Sequence, residues 1–179
     1  MVRTFVALEL PGEIRERLAE AREELRACRA RLTFVDPALI HITAKFLGEV
    51  EEGRIPALKE ALGQVKFAPF PVTARAITVN NPRRPHTVWC AMEDGGKGAE
   101  LLCRIEDALC PLGFAREERR FTPHATVARV RAPDPSLFAA LDRLRCREYG
   151  GCTIAGMKLK KSTLTPRGPI YEDLLEVPF

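Results

Sequence analysis

Two short stretches, His41-Ile42-Thr43-Ala44 and Pro123-His124-Ala125-Thr126-Val127-Ala128-Arg129, constrain the fold of this chain more than any other feature. The sequence holds three histidines and eleven threonines, and two of the histidines carry a threonine two places downstream. Composition alone gives that coincidence roughly one time in a hundred. Each stretch lies in a run with strand character, Leu39 to Leu47 and Phe121 to Val130. Residues i and i+2 of a strand share a face, so each motif sets an imidazole beside a hydroxyl, aimed the same way. Two such strands facing each other build a polar site with two imidazoles.

The motifs stand 83 residues apart, and the same offset relates their surroundings. It carries His41 to His124, Thr43 to Thr126, Ile55 to Phe138 and Leu58 to Leu141. Upstream it carries the strand at Thr4 to the strand at Thr87, and a further step reaches the last strand near Ile170. The pattern describes one domain over residues 1–179, in two related lobes that each bring a motif strand to a shared cleft.

Between the motifs, periodicity marks the other elements. Thr4 to Leu10 alternates as a strand, and Pro11 opens a helix with the stripe Ile14, Leu18, Ala21, Leu25 and Cys28. Leu32 to Val35 is a short strand, and the first motif strand ends at Gly48. Ile55, Leu58, Leu62 and Val65 mark a second helix, then Phe70 to Val79 and Thr87 to Met92 read as strands. Leu102, Ile105, Leu109 and Leu112 give a third helix closed by Gly113. Asp134-Pro135 caps a fourth, with the stripe Leu137, Phe138, Leu141 and Leu144. Two closing strands, Cys152 to Leu164 and Ile170 to Val177, flank a turn at Pro166-Arg167-Gly168-Pro169. Short strands and helices without a glycine-rich phosphate loop predict an α+β fold with mainly antiparallel sheet.

At 179 residues the chain can bury roughly 70% of its unfolded surface in one core. The opening Met1 to Glu9 has too short an apolar run for a signal peptide or membrane span, which predicts a cytoplasmic protein. No partner in a membrane is expected, and the protein is expected to be a monomer. A net charge of +4 permits an anionic partner without demanding one. The six cysteines show no CxxC pair or zinc spacing and read as reduced thiols, with Cys28 and Cys103 buried on apolar helix positions.

An imidazole titrates near pH 6.5, so one can serve as a neutral base while another is a charged acid. Such a pair suits in-line displacement at phosphorus, with the threonine hydroxyls donating to the non-bridging oxygens. No carboxylate or third histidine accompanies either motif at ligand spacing, so neither a metal nor a cofactor is expected. Arg129, five residues after His124, sits on the opposite face under strict alternation and reaches the site only through a twist or bulge. Its counterpart is Phe46: the arginine could pair with phosphate and the ring could stack on a base. Their alternatives are a surface ion pair and a core side chain. Lys45 shares parity with His41 and Thr43 but reads as a solvated lysine. His86 follows Arg83-Arg84-Pro85 in a turn and reads as structural or exposed. The basic groups Arg83-Arg84, Arg116-Arg119-Arg120 and Lys158-Lys160-Lys161 could track a nucleic-acid backbone or simply be solvated.

With these residues in view, His41-Ile42-Thr43-Ala44-Lys45-Phe46-Leu47-Gly48-Glu49 resembles the first HxTx signature of the two-histidine (2H) phosphoesterases. Phe121 to Val130 resembles the second, and Ser162-Thr163-Leu164-Thr165-Pro166-Arg167-Gly168-Pro169-Ile170-Tyr171 is similar to that family's C-terminal run. The branch it looks most like is the prokaryotic RNA 2′,3′-cyclic phosphodiesterases, also called 2′-5′ RNA ligases. The resemblance implies a bilobal fold around a central cleft and metal-free opening of a terminal 2′,3′-cyclic phosphate to a 2′-phosphomonoester. The same site would also join RNA ends through a 2′-5′ bond without ATP. It implies His41 as proton donor and His124 as proton acceptor, with RNA ends as partners, tRNA-like ones included. Two other readings stay open: a cyclic phosphodiesterase for small nucleotides such as ADP-ribose cyclic phosphate or 2′-5′ oligoadenylate, and a module that binds RNA ends without turnover.

Overall fold

The computed structural model describes residues 1–166 and 168–179, so Arg167, in the turn expected at 166–169, lies outside the described residues. Among the described residues the chain forms nine strands and four α-helices in one α+β unit. The strands are β1 (Val2–Glu9), β2 (Arg31–Phe34), β3 (His41–Val50), β4 (Phe70–Val79), β5 (Thr87–Glu93), β6 (His124–Ala132), β7 (Glu148–Ile154), β8 (Gly156–Thr165) and β9 (Gly168–Pro178). The helices are α1 (Gly12–Arg26), α2 (Ile55–Gly63), α3 (Lys97–Leu109) and α4 (Ser136–Leu144).

The strands pair antiparallel in the order β7-β4-β5-β6-β3-β1-β8-β9, with β2 alongside β6. Each motif strand is central because both its faces carry work: Ile42, Ala44, Ala125 and Val127 enter the core, and the histidines and threonines face the other way. The order is symmetric about the β6–β3 junction, which places β9 at the edge opposite β7 and not as a third equivalent of β1. That junction is thin. Among the described residues Ile42 opposite Ala125 is its one pair in register, and beyond it β6 pairs instead with β2. The two halves diverge from this rung and open a cleft between them.

The helices cover the core side of the sheet. Helix α1 buries Ile14, Leu18, Ala21 and Leu25 against β7 and α4. Helix α2 buries Leu58 and Leu62 against α3 and β9. Fully burying each of these leucine and isoleucine side chains stabilises the fold by about 1.5–3 kcal/mol. Gly113 ends the third helical segment at φ +81°, a conformation that costs glycine nothing and other residues strain.

Several sequence expectations need correction. The run Cys152–Leu164 is two strands, β7 and β8, broken at Ala155 and sent to different parts of the sheet. Gly156 makes the second possible, since a Cβ there would lie 2.8 Å from the Val177 carbonyl oxygen across the β8–β9 ladder. Strand β3 does not stop at Gly48 but passes through it at φ +76° and ends at Val50. Strand β6 begins at His124, not Phe121. Cys103 is exposed, because the buried stripe of α3 runs through Leu101, Leu102, Ile105 and Leu109 instead. No helix among the described residues is long and apolar enough to cross a membrane.

Candidate active site

A cleft of about 840 Å³ opens along the β3–β6 junction, and His41, Thr43, Phe46, His124, Thr126 and Arg129 all line it. The local cause is a pair of matching bulges. On β3, Ala7 pairs with Thr43 but Val6 pairs with Lys45, so Ala44 is an extra residue. On β6, Trp89 pairs with Thr126 but Val88 pairs with Ala128, so Val127 is the extra one. Each bulge reverses the strand's phase. Consecutive residues are therefore buried, Ala44 with Lys45 and Val127 with Ala128, and the next residues return to the cleft. Phe46 and Arg129 reach the site by this device.

The same phase change overturns the reading of Lys45 as a solvated side chain. Lys45 points into the protein, 4% exposed, where its Nζ donates to Glu106 Oε1 at 2.8 Å and to the Ala115 carbonyl at 2.9 Å. It holds α3 and the segment after it against the back of β3.

Each imidazole is fixed by the backbone two residues before it. His41 Nδ1 lies 2.7 Å from the Leu39 carbonyl oxygen, and His124 Nδ1 lies 2.7 Å from the Thr122 carbonyl oxygen. A carbonyl only accepts, so both Nδ1 atoms carry the proton and both Nε2 atoms are left for chemistry. His41 Nε2 meets Thr43 Oγ1 at 3.1 Å. Aromatic rings hold the imidazoles from the side. Phe5 stacks on His41 with centroids 5.0 Å apart, Tyr171 meets it edge-on at 5.5 Å, and Trp89 lies 4.1 Å from His124. Burial pushes both imidazoles below their ordinary pKa, against the pull of the backbone carbonyls in the other direction.

The remaining walls are cationic and aromatic. Arg129 Nη1 donates to Thr87 Oγ1 at 3.0 Å, and Arg131 Nε donates to Thr33 Oγ1 at 3.1 Å. The Arg3 guanidinium lies 4.7 Å from the centre of the Phe46 ring, which is 47% exposed. Leu164 and Ile170, both exposed, form a lip on the β8–β9 hairpin. His86 is exposed in its turn, away from the cleft lining. The lysine group of β8 is matched by acids on its neighbours: Lys158 and Lys160 with Asp173, Lys161 with Glu172. Sequence reasoning did not assign roles to Phe5, Trp89, Tyr171, Arg3 or Arg131. Tyr171 carried a signal as the last residue of the C-terminal run, and Arg3 and Phe5 carried one as part of the Arg3-Thr4-Phe5-Val6-Ala7 opening, which also resembles the family. Among the described residues, no group of three or more His, Cys, Asp or Glu side chains is placed to hold a metal ion.

A symmetric antiparallel sheet with a His-Thr pair from each half defines the class of two-histidine phosphoesterases. Residues 8–90 and 95–171 match the family model described as LigT like phosphoesterase. The chain is 33% identical over 174 residues to an RNA 2′,3′-cyclic phosphodiesterase of Archaeoglobus fulgidus, covering 97% of this chain and 98% of that one. It is 32% identical over 178 residues to one of Methanothermobacter thermautotrophicus, covering 97% and 96%. Its fold superposes on TT0787 of Thermus thermophilus with a TM-score of 0.81, at 29% identity, covering 98% of this chain and 97% of that one. This chain belongs to the LigT-like phosphoesterase family and is an enzyme that hydrolyses phosphodiesters.

Proposed function

We propose that the protein is a metal-independent RNA 2′,3′-cyclic phosphodiesterase that opens the terminal ring to a 2′-phosphomonoester. The observation that carries this reading is the tautomeric lock. Two imidazoles with Nδ1–H tied to carbonyls both offer Nε2 to one cleft that also holds two threonine hydroxyls and Arg129. His124 Nε2 takes a proton from water as the water oxygen bonds to phosphorus. The bond from phosphorus to the 3′ oxygen breaks, and His41 Nε2–H gives that oxygen its proton. Thr43 and Thr126 donate to the non-bridging oxygens, and Arg129 offsets their charge. Phe46, backed by Arg3, provides a face on which the terminal base stacks. A 5′ hydroxyl in place of water makes the same displacement a ligation, leaving a 2′-5′ bond and consuming no ATP.

The test is a short RNA with a 2′,3′-cyclic phosphate end, incubated in EDTA and then treated with phosphatase to reveal the product. The expected product is a 2′-phosphate, absent with His124→Ala. Activity lost in EDTA and restored by zinc overturns the metal-free route. Tight binding without turnover overturns the enzymatic one, and a strong preference for a mononucleotide substrate over RNA overturns the RNA-end assignment.

A further inference from the structure

The two histidines share their backbone anchor but not their cross-strand partner. His41 on β3 stands opposite Glu9 on β1, whereas His124 on β6 stands opposite Ala91 on β5. Glu9 is held in place: its Oε1 lies 2.8 Å from Lys160 Nζ, which lies 2.6 Å from Asp173 Oδ1. Lys158 joins the same group, 2.6 Å from Asp173 and 3.6 Å from Glu176. Three carboxylates against two ammonium groups leave one negative charge in excess. A cavity of about 410 Å³, lined by Glu9, Leu39, His41, Lys160, Tyr171 and Asp173, joins this cluster to the imidazole.

We propose that Glu9 is a positioning residue that assigns the acid's part to His41, its carboxylate favouring the charged ring there while Ala91 leaves His124 without such a partner. This rests on the two-histidine reaction above and explains how two near-identical motifs take opposite roles. The charged and titratable groups facing His41 are Glu9 from β1, Lys160 from β8, Tyr171 and Asp173 from β9, and His124 from β6. Burial lowers the affinity of both rings for a proton. Glu9 opposes that at His41, where Lys160 and His124 reinforce it; at His124 the neighbouring charge is Arg129, which also reinforces it. Of these neighbouring charges Glu9 acts most strongly on His41. A carboxylate facing an imidazole favours its charged form.

The experiment is an NMR titration of the ring protons, which needs no turnover. The chain has three histidines, so single His→Gln variants assign every signal. Glu9→Gln is expected to lower the titration of His41 and leave His124 in place. Lys160→Gln is expected to raise His41, Ala91→Asp to raise His124, and Glu9→Asp to restore most of the wild-type value. The alkaline limb of the kcat/KM profile should follow His41 in each variant, since that limb reports loss of the acid's proton. An unmoved His41 in a folded Glu9→Gln protein overturns the assignment; should that variant fail to fold, a fall or no change in Lys160→Gln overturns it instead. A wild-type protein that leaves cyclic ends intact refutes the reaction itself, a result separate from the titration.

Discussion

Replacing Lys45 by Met tests how firmly the back of the first motif strand is held. The Lys45 and Glu106 side chains are only 3% and 7% exposed, 2.8 Å apart. After the change, Glu106 keeps the backbone N–H of Glu117 at 2.7 Å and Arg116 at 3.9 Å. Removing one member of a buried pair costs about 3–5 kcal/mol. Those two remaining partners set Lys45→Met at the lower end, about 3 kcal/mol, or a Tm lower by about 6–12 °C. An apolar pair avoids the stranded charge, so Lys45→Met with Glu106→Leu should be the more stable protein, with a coupling of about 2 kcal/mol. The chain's single tryptophan, Trp89, reports urea unfolding. Burial opposes the charge on Glu106, but hydrogen bonds from Lys45 and the Glu117 N–H outweigh it and hold the carboxyl below its ordinary 4.5. A depressed carboxyl stabilises the fold above the unfolded value and loses that contribution as pH falls through the folded one. The penalty of Lys45→Met should therefore be full at pH 7 and shrink at pH 4. A loss under about 1 kcal/mol at pH 7, or an equal loss at both pH values, refutes this account of the pair.

Three further outcomes are expected. His41→Ala and His124→Ala should each lower kcat by about 10²–10⁴-fold, with His86→Ala unchanged, as read by cyclic-phosphate hydrolysis. Because burial lowers both imidazoles below 6.5, kcat/KM should peak on the acid side of that value and fall above it, as His41 loses its proton. A maximum above pH 7.5 contradicts the depressed rings. Arg129→Met should weaken RNA cleavage by about 10-fold or more, with partial rescue by Arg129→Lys, because the lysine restores charge without the planar fork; equal loss in both variants would make the planar fork the whole contribution.

The His-Thr pairs, the helix stripes and most strands were legible because they depend on periods of 2 and 3.6 within one segment. What was not legible depends on a neighbouring strand. Nothing in Ala44-Lys45 or Val127-Ala128 announces a bulge, so Lys45 read as sharing the histidine's face and Arg129 as opposing it. Strand character continues across Ala155, and β7 and β8 are told apart only by their partners, β4 for the first and β9 for the second. Glu9 is an ordinary strand-end residue until register sets it opposite His41.

Helix α1 follows β1 yet packs on β7 and α4, while α3 follows β5 yet touches β3. Likewise β4 joins the β6 side of the sheet and β8 and β9 the β3 side. The backbone is thus laced back and forth over the Ile42–Ala125 rung, and each side of the sheet is completed by strands from the other half of the chain. A chain nicked between Asn81 and Arg84, which are exposed, is expected to regain hydrolysis only when both fragments are mixed; activity of either fragment alone contradicts this. Strand β3 touches α3 and β6 pairs with β2, so each His-Thr strand rests on an element from the other half of the chain.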